Sequence, residues 1–343
     1  MQDGDTNPEE LPKDITIPNN LSMTARGFGE ENRAIEAVNK LHSVISVISQ
    51  QIDLTDLDGV TIAFDYDEAL AELDRGYETK DELEATKDIA IGVAMSPRVI
   101  RDGQIKTHIV LNANYTLGIL EEPGEETDSF RQALHLIAHE CAHVEVTAAF
   151  DKSFPNTLLQ KKHKNFLDSC RWQVIQAIWD EYAVCRTVGT YGYDPTDWYL
   201  ETLGKVLEIT RDKCYKRIKA YRIHDNSDQV VAEVYGLLGD LLKFAAYFLG
   251  AVSNRQPTEN YPSALTNNSD FDWFKPFYEQ IIRVNEALWS EFGSWANMDS
   301  FEAIGNTLEE MAESIGIKAI RISEKLIKFD IPYRTETMPG SIT

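Results

Sequence analysis

Cysteine is scarce, acidic residues far outnumber basic ones, and no long apolar run occurs in these 343 residues. Each shortage removes a class of protein. The four cysteines, Cys141, Cys170, Cys185 and Cys214, show no paired spacing. They fall mostly in helical segments, which argues against a disulfide framework and for reduced core thiols. Lysine and arginine number 33 against 56 aspartates and glutamates, a net charge of −23. A nucleic-acid partner is not expected, because phosphate binding needs basic surface. A membrane span needs about 18 or more apolar residues in a row. The best approach, 230–252, is interrupted by Glu233, Asp240 and Lys243, so no span is expected. The opening Met-Gln-Asp-Gly-Asp has neither a basic nor an apolar segment. No signal peptide is expected, and a cytoplasmic location is the expectation.

What is present suggests an α+β amino-terminal part followed by a helical one. Residues 1–27, whose first part is rich in Asp, Glu, Asn and Pro, read as a flexible acidic arm. A helix is expected over 29–52, with Ile35, Val38, Leu41, Val44, Ile45 and Ile48 on one face. A strand is expected over 60–66, then a charged helix from Asp67 towards Ala85. Two β-rich runs, 89–100 and 105–115, flank the Asp102-Gly103 turn signal. In the second run Ile109, Leu111, Ala113 and Tyr115 alternate with His108, Val110, Asn112 and Asn114, which predicts a half-buried strand. From Thr196 onward helices are expected at about 198–221, 228–252, 273–292 and 301–329. The expected class is thus α+β, with a mixed or antiparallel sheet and then a mostly helical lobe. The core is placed at 28–192 and the helical lobe at 193–335.

Only seven histidines are present, yet His135, His139 and His143 fall within nine residues. His139 to His143 reads His-Glu-Cys-Ala-His inside an amphipathic helix with Phe130, Leu134, Ile137 and Ala138 on its apolar face. Ser129 and Gln132 suit a capping box for that helix, after the Pro/Gly/Glu-rich loop 121–128. Histidines four apart share one helix face, so both imidazoles can reach one zinc ion. Glu140 between them then stands beside a water on that metal. Cys141, offset by two positions, points elsewhere and reads as packing, and His135 reads as support for the site.

A zinc hydrolase needs a third protein ligand and one open position. The helix expected over 166–188 places Glu181 on the same stripe as Val174, Ala177, Ile178 and Cys185. Asp180 instead aligns with Gln173 and Gln176 on the polar side. A carboxylate facing a core is costly unless a charge meets it. A metal ion would meet it, as would a salt bridge to Arg171 or Arg186.

His139-Glu140-x-x-His143, followed 38 residues later by Glu181 in a helical Trp-Asp-Glu-Tyr-Ala-Val-Cys-Arg segment, resembles the gluzincin branch of the zincin metallopeptidases. The resemblance covers roughly residues 59–190 and departs from the family at Glu145, where an apolar residue is usual. It implies a zincin-like fold, Zn2+ as cofactor, His139, His143 and Glu181 as ligands, and Glu140 as general base. It also implies an edge strand that pairs with extended substrate, a role expected for the 106–115 strand with Asn112 and Asn114 as substrate-binding residues. The implied reaction is hydrolysis of a peptide bond in a peptide or protein substrate, with basic peptides favoured by the negative charge. A second donor for the oxyanion is implied, with His224, Tyr193, Tyr191 and Tyr182 as candidates. A zincin-like binding or regulatory protein with little turnover is the competing expectation.

Other zinc branches fit less well. A metzincin would carry Gly and His three and six positions after the second histidine, where Val146 and Ala149 stand. A deformylase-like site would need a cysteine ligand upstream, and no cysteine precedes Cys141. Asp194, in Gly-Thr-Tyr-Gly-Tyr-Asp, resembles an aspzincin ligand and is the alternative third ligand. His163, in Lys-Lys-His-Lys, is a weaker alternative, since that run reads as a solvated basic patch.

Overall fold

The computed structural model describes residues 14–79, 82–85, 92–121 and 127–338. Residues 1–13 of the expected arm therefore lie outside the described residues, as do 86–91. The chain forms two compact units, residues 1–84 with 93–145, and residues 85–92 with 146–343.

The first unit carries β1 (Ser22–Arg26), α1 (Glu31–Ile48), β2 (Leu57–Ala63), α2 (Tyr66–Ala71), β3 (Ala94–Met95), β4 (Arg98–Arg101), β5 (Gln104–Asn112) and α3 (Ala113–Thr116). It also holds most of α4 (Asp128–Ser153). The sheet is mixed, as expected. Strands β1, β2 and β5 run parallel in that order, and β3 and β4 pair antiparallel to β5 on its far side. Ser22–Arg26, assigned by sequence to the arm, is thus a paired strand whose crossover to β2 is supplied by α1.

The strand expected to be half-buried is an interior one. β5 is paired on both sides, and Ile109, Val110 and Leu111 are all buried, so the two-residue alternation is lost there. It also ends sooner, at Asn112, whose side chain caps α3 by accepting from the Asn114 N–H at 3.0 Å. The edge strand is instead the β3–β4 segment. Its register against β5 is the same on both sides of the gap, placing Ser96 opposite Ile109 and Pro97 opposite His108. The ladder breaks because Pro97 has no N–H to donate, although its carbonyl still accepts from the His108 N–H at 2.9 Å. His108 in turn sits 2.9 Å from Asp58 and 3.0 Å from Thr61, while Arg101 also donates to Asp58, which ties β2, β4 and β5 together.

The charged helix expected from Asp67 towards Ala85 is cut to α2. Asp65 caps its start, and beyond Ala71 the Asp74 carboxylate accepts from the Gly76 N–H at 2.8 Å. That side-chain turn competes with helix, and Gly76 takes a φ of +71° that other residues rarely adopt.

The second unit holds the end of α4, then α5 (Phe166–Val188), α6 (Thr196–His224), α7 (Ser227–Val252), α8 (Ser263–Thr266), α9 (Phe271–Ser290) and α10 (Asp299–Ile315). Strands β6 (Lys318–Arg321) and β7 (Ile327–Asp330) form a hairpin. A single helix was expected over 301–329, but Gly316 ends α10 with a φ of +116°. The Gly316 and Ile317 amides return to the Ala312 carbonyl at 3.0 and 2.8 Å, the double closure of a glycine-terminated helix.

The most extensive helix pairing in this unit is α5 on α7. Gly239 and Gly250 of α7 make it possible, since a Cβ at Gly239 would lie 2.7 Å from the Val174 side chain. One at Gly250 would lie 2.6 Å from the Tyr182 carbonyl. α7 is apolar and long enough to cross a membrane, and 72% of its apolar window is buried inside the protein. Behind α5, Phe150, Phe154, Trp179, Trp295 and Phe301 form one aromatic cluster with mostly edge-to-face contacts.

Candidate metal centre

Helix α4 is built to hold polar groups at fixed positions. The Phe130 N–H bonds to Thr127 Oγ1 at 3.2 Å, so Thr127 is the cap rather than Ser129, which lies inside the first turn. Gly118 packs so closely there that a Cβ would stand 2.5 Å from the Ser129 carbonyl. No glycine or proline interrupts α4 from Asp128 to Ser153, and Pro155 follows its end. Ile137, Ala138, Cys141, Ala142, Val144 and Val146 are all buried, so the polar residues between them are held by packing.

His139 and Glu140 are themselves buried, at 9% and 5% exposure, and His143 is half-buried. The two imidazoles lie edge to face with centroids 5.1 Å apart. Glu181, half-buried on α5, completes the set. One ligand atom from each of His139, His143 and Glu181 lies within 4.8 Å of the other two. This is the one such group among the described residues, and it can hold a metal ion. Donors around a tetrahedral zinc at ~2.0–2.1 Å stand roughly 3.4 Å apart. Two imidazoles and one carboxylate are an appropriate donor set for such an ion.

The rival partners for Glu181 are engaged elsewhere. Arg171, nearly buried, pairs with Glu302 and Glu309. Arg186 pairs with Glu286 at 2.8 Å. Glu181 instead accepts a hydrogen bond from the Tyr247 hydroxyl on α7. Burial first, and then the Glu181 charge, pushes the Tyr247 hydroxyl well above the usual tyrosine range, so it remains a donor. Tyr247 stacks on Tyr199 at 5.1 Å, and the Cys185 thiol is 3.7 Å from the Tyr199 hydroxyl. This partner of Glu181 is not visible in the sequence, because Tyr247 lies 66 residues away on another helix.

Around Glu140, two further groups come from distant positions. Ser96 Oγ lies 2.7 Å from Glu140 Oε2 and 3.1 Å from the Glu140 carbonyl. Tyr66 on α2 is buried, and its hydroxyl is raised well above the usual range by burial first and by Glu140 second. Cys141 is fully buried, as expected for a packing residue, and its thiol is pushed up by burial.

The remaining candidates are placed elsewhere. Asp194 accepts from Thr196 and pairs with Arg255 at 2.7 Å, outside the metal-ligand group. His163 is exposed and lines a cleft of about 500 Å³ with Lys161, Lys162, Lys164, Arg321 and Glu324. No residue of the metal-ligand group lines it. His224 is exposed at the end of α6, where its Nδ1 accepts from the Asn226 N–H at 3.0 Å. Tyr182 donates to Glu286 at 2.9 Å. Tyr193 is half-buried between α5 and α6 in sequence, and Asn114 is exposed with its amide on Asn112. Asn112 thus ends an interior strand as the cap of α3, and Asn114 lies within α3.

Comparison with protein-family models, with curated proteins and with solved structures finds no match.

Proposed function

We propose that this chain is a zinc-dependent metallopeptidase of the gluzincin kind. The observation that carries the reading is the meeting of His139, His143 and Glu181 from two helices, with Glu140 buried between the two histidines in sequence. The β3 end of the antiparallel edge, beside three parallel strands, supports it, since an extended peptide can add there through its backbone, whereas at Ile100 the β4 end already bonds to the Arg75 carbonyl.

His139, His143 and Glu181 would hold the ion, leaving one position for water or substrate. Bound zinc would supply Lewis acidity towards water and the scissile carbonyl. Glu140 takes one proton from the attacking water as its oxygen bonds to the carbonyl carbon. Glu140 then returns that proton to the nitrogen as the C–N bond breaks, giving a carboxylic acid and an amine, and the acid's remaining proton passes to the amine, leaving a carboxylate and an ammonium group. Burial of Glu140 keeps other water away from the carboxylate during these transfers. The acidic surface favours basic peptides on approach.

Elemental analysis of the purified chain should find about one zinc per chain. Treatment with 1,10-phenanthroline should abolish peptide-library cleavage, and added zinc should restore it. Circular dichroism should be unchanged throughout, because both units have apolar cores of their own. Unfolding on chelation would mark the ion as structural. Stoichiometric zinc without cleavage of any peptide would make the chain a binding protein.

A further inference from the structure

We infer that Ser96 is a positioning residue that holds the Glu140 carboxylate by one oxygen. The inference rests on the peptidase reading for its kinetic consequence, but the contact itself lies wholly within the first unit.

A serine hydroxyl has one hydrogen to give. Of its two neighbours on Glu140, Oε2 at 2.7 Å is nearer than the carbonyl at 3.1 Å, and it carries the negative charge. The hydrogen therefore serves Oε2, as a charge-assisted bond. A glutamate side chain has three rotatable bonds, and one strong bond at its tip removes most of that freedom. With Oε2 held, the carboxylate is restricted in the directions it can face.

The place of Ser96 in the sheet adds a second consequence. Pro97 and Val93 direct their carbonyls inward, accepting from the β5 amides of His108 and Asn112. Main-chain groups alternate along a strand, so those of Ser96 and Arg98 point away from β5. Ile100 follows the same alternation, and its outward N–H bonds to the Arg75 carbonyl at 2.9 Å. One residue thus presents its main chain to the sheet edge and its side chain to the base. A peptide pairing with that edge at Ser96 would press on the residue that orients Glu140. Binding of substrate main chain and alignment of the base are then linked through a single residue.

The test uses the full chain and two variants. A crystal structure of Ser96→Ala should show the Glu140 side chain in a different rotamer, or spread over several, with the sheet unchanged. An unmoved Glu140 overturns the inference whether or not the chain is a peptidase. In kinetics of the zinc-loaded protein, Ser96→Ala should lower kcat roughly tenfold to a hundredfold, the scale of a hydrogen bond to a charged group. KM and zinc affinity, the latter from competitive chelator titration, should stay within about twofold of the parent. Ser96→Thr, which keeps the hydroxyl, should recover most of kcat. If zinc affinity falls as much as kcat, or if Ser96→Thr is no better than Ser96→Ala, the role is structural and the inference is overturned. Absence of cleavage by the parent chain would count against the peptidase reading alone, and the crystallographic arm would still decide the role of Ser96.

Discussion

Glu140→Gln is expected to keep its zinc and lose turnover by several orders of magnitude. The amide is nearly the same size and can still occupy the buried position, so the helix and the two histidines should be undisturbed. It cannot accept a proton from water, which removes general-base assistance, and it cannot deliver one to the leaving nitrogen. General acid–base assistance contributes about 10²–10⁴-fold in measured cases, and here one residue performs both transfers. The measurement is kcat/KM on a sensitive peptide, alongside zinc content. A variant cleaving at near-parent rate would show that Glu140 is not the base, and the peptidase reading would fall with it.

Glu181→Ala is expected to weaken zinc binding at least tenfold, because it removes one of three protein ligands. The comparison with its neighbours makes the experiment decisive. Asp180→Ala, Asp194→Ala and His163→Ala should bind zinc almost as the parent does, since none of these residues belongs to the metal-ligand group. Tyr247→Phe should fall between, losing roughly tenfold, as outer ligand partners typically cost ~10–100-fold in affinity when removed. Competitive titration of the five variants gives the order directly. Loss of metal from Asp194→Ala with normal binding by Glu181→Ala would overturn the ligand set and restore the aspzincin-like alternative.

Much of the candidate site was legible because helical spacing is rigid. His139 and His143 share a face by arithmetic alone, and the apolar stripe of α5 singled out Glu181 over Asp180. The bounds of α5 were legible too, since Asn165 caps one end and Gly189 the other. Pairing between distant strands has no such local code. The sequence of β5 is compatible with an edge or an interior position, and only its two neighbours make it interior. Asn112 and Asn114 were read as outward residues of an edge strand for that reason, whereas a side-chain cap turns the chain into α3 at that point. The partners of the site were hidden in the same way. Ser96 is 44 residues from Glu140, and Tyr247 is 66 from Glu181, too far for any periodicity to link them. Gly316 carried a local stop signal for α10, but the apolar pattern running past it, through Ile317, Ile320 and Leu326, suits a helix and a hairpin alike.

The four buried thiols give the molecule its own reporters of opening. Cys141 lies in the first unit, and Cys170, Cys185 and Cys214 lie in the second. Burial raises Cys141, Cys170 and Cys214 above the usual thiol range, and an alkylating reagent attacks only the thiolate. Labelling in native buffer therefore has to wait for local or global unfolding, and the rate at which mass is gained becomes a clock for it. Peptide mapping then separates the signal by position. Cys141 stands between His139 and His143, so the time at which it alone becomes labelled measures how long the helix of the candidate metal centre stays closed, with and without added zinc.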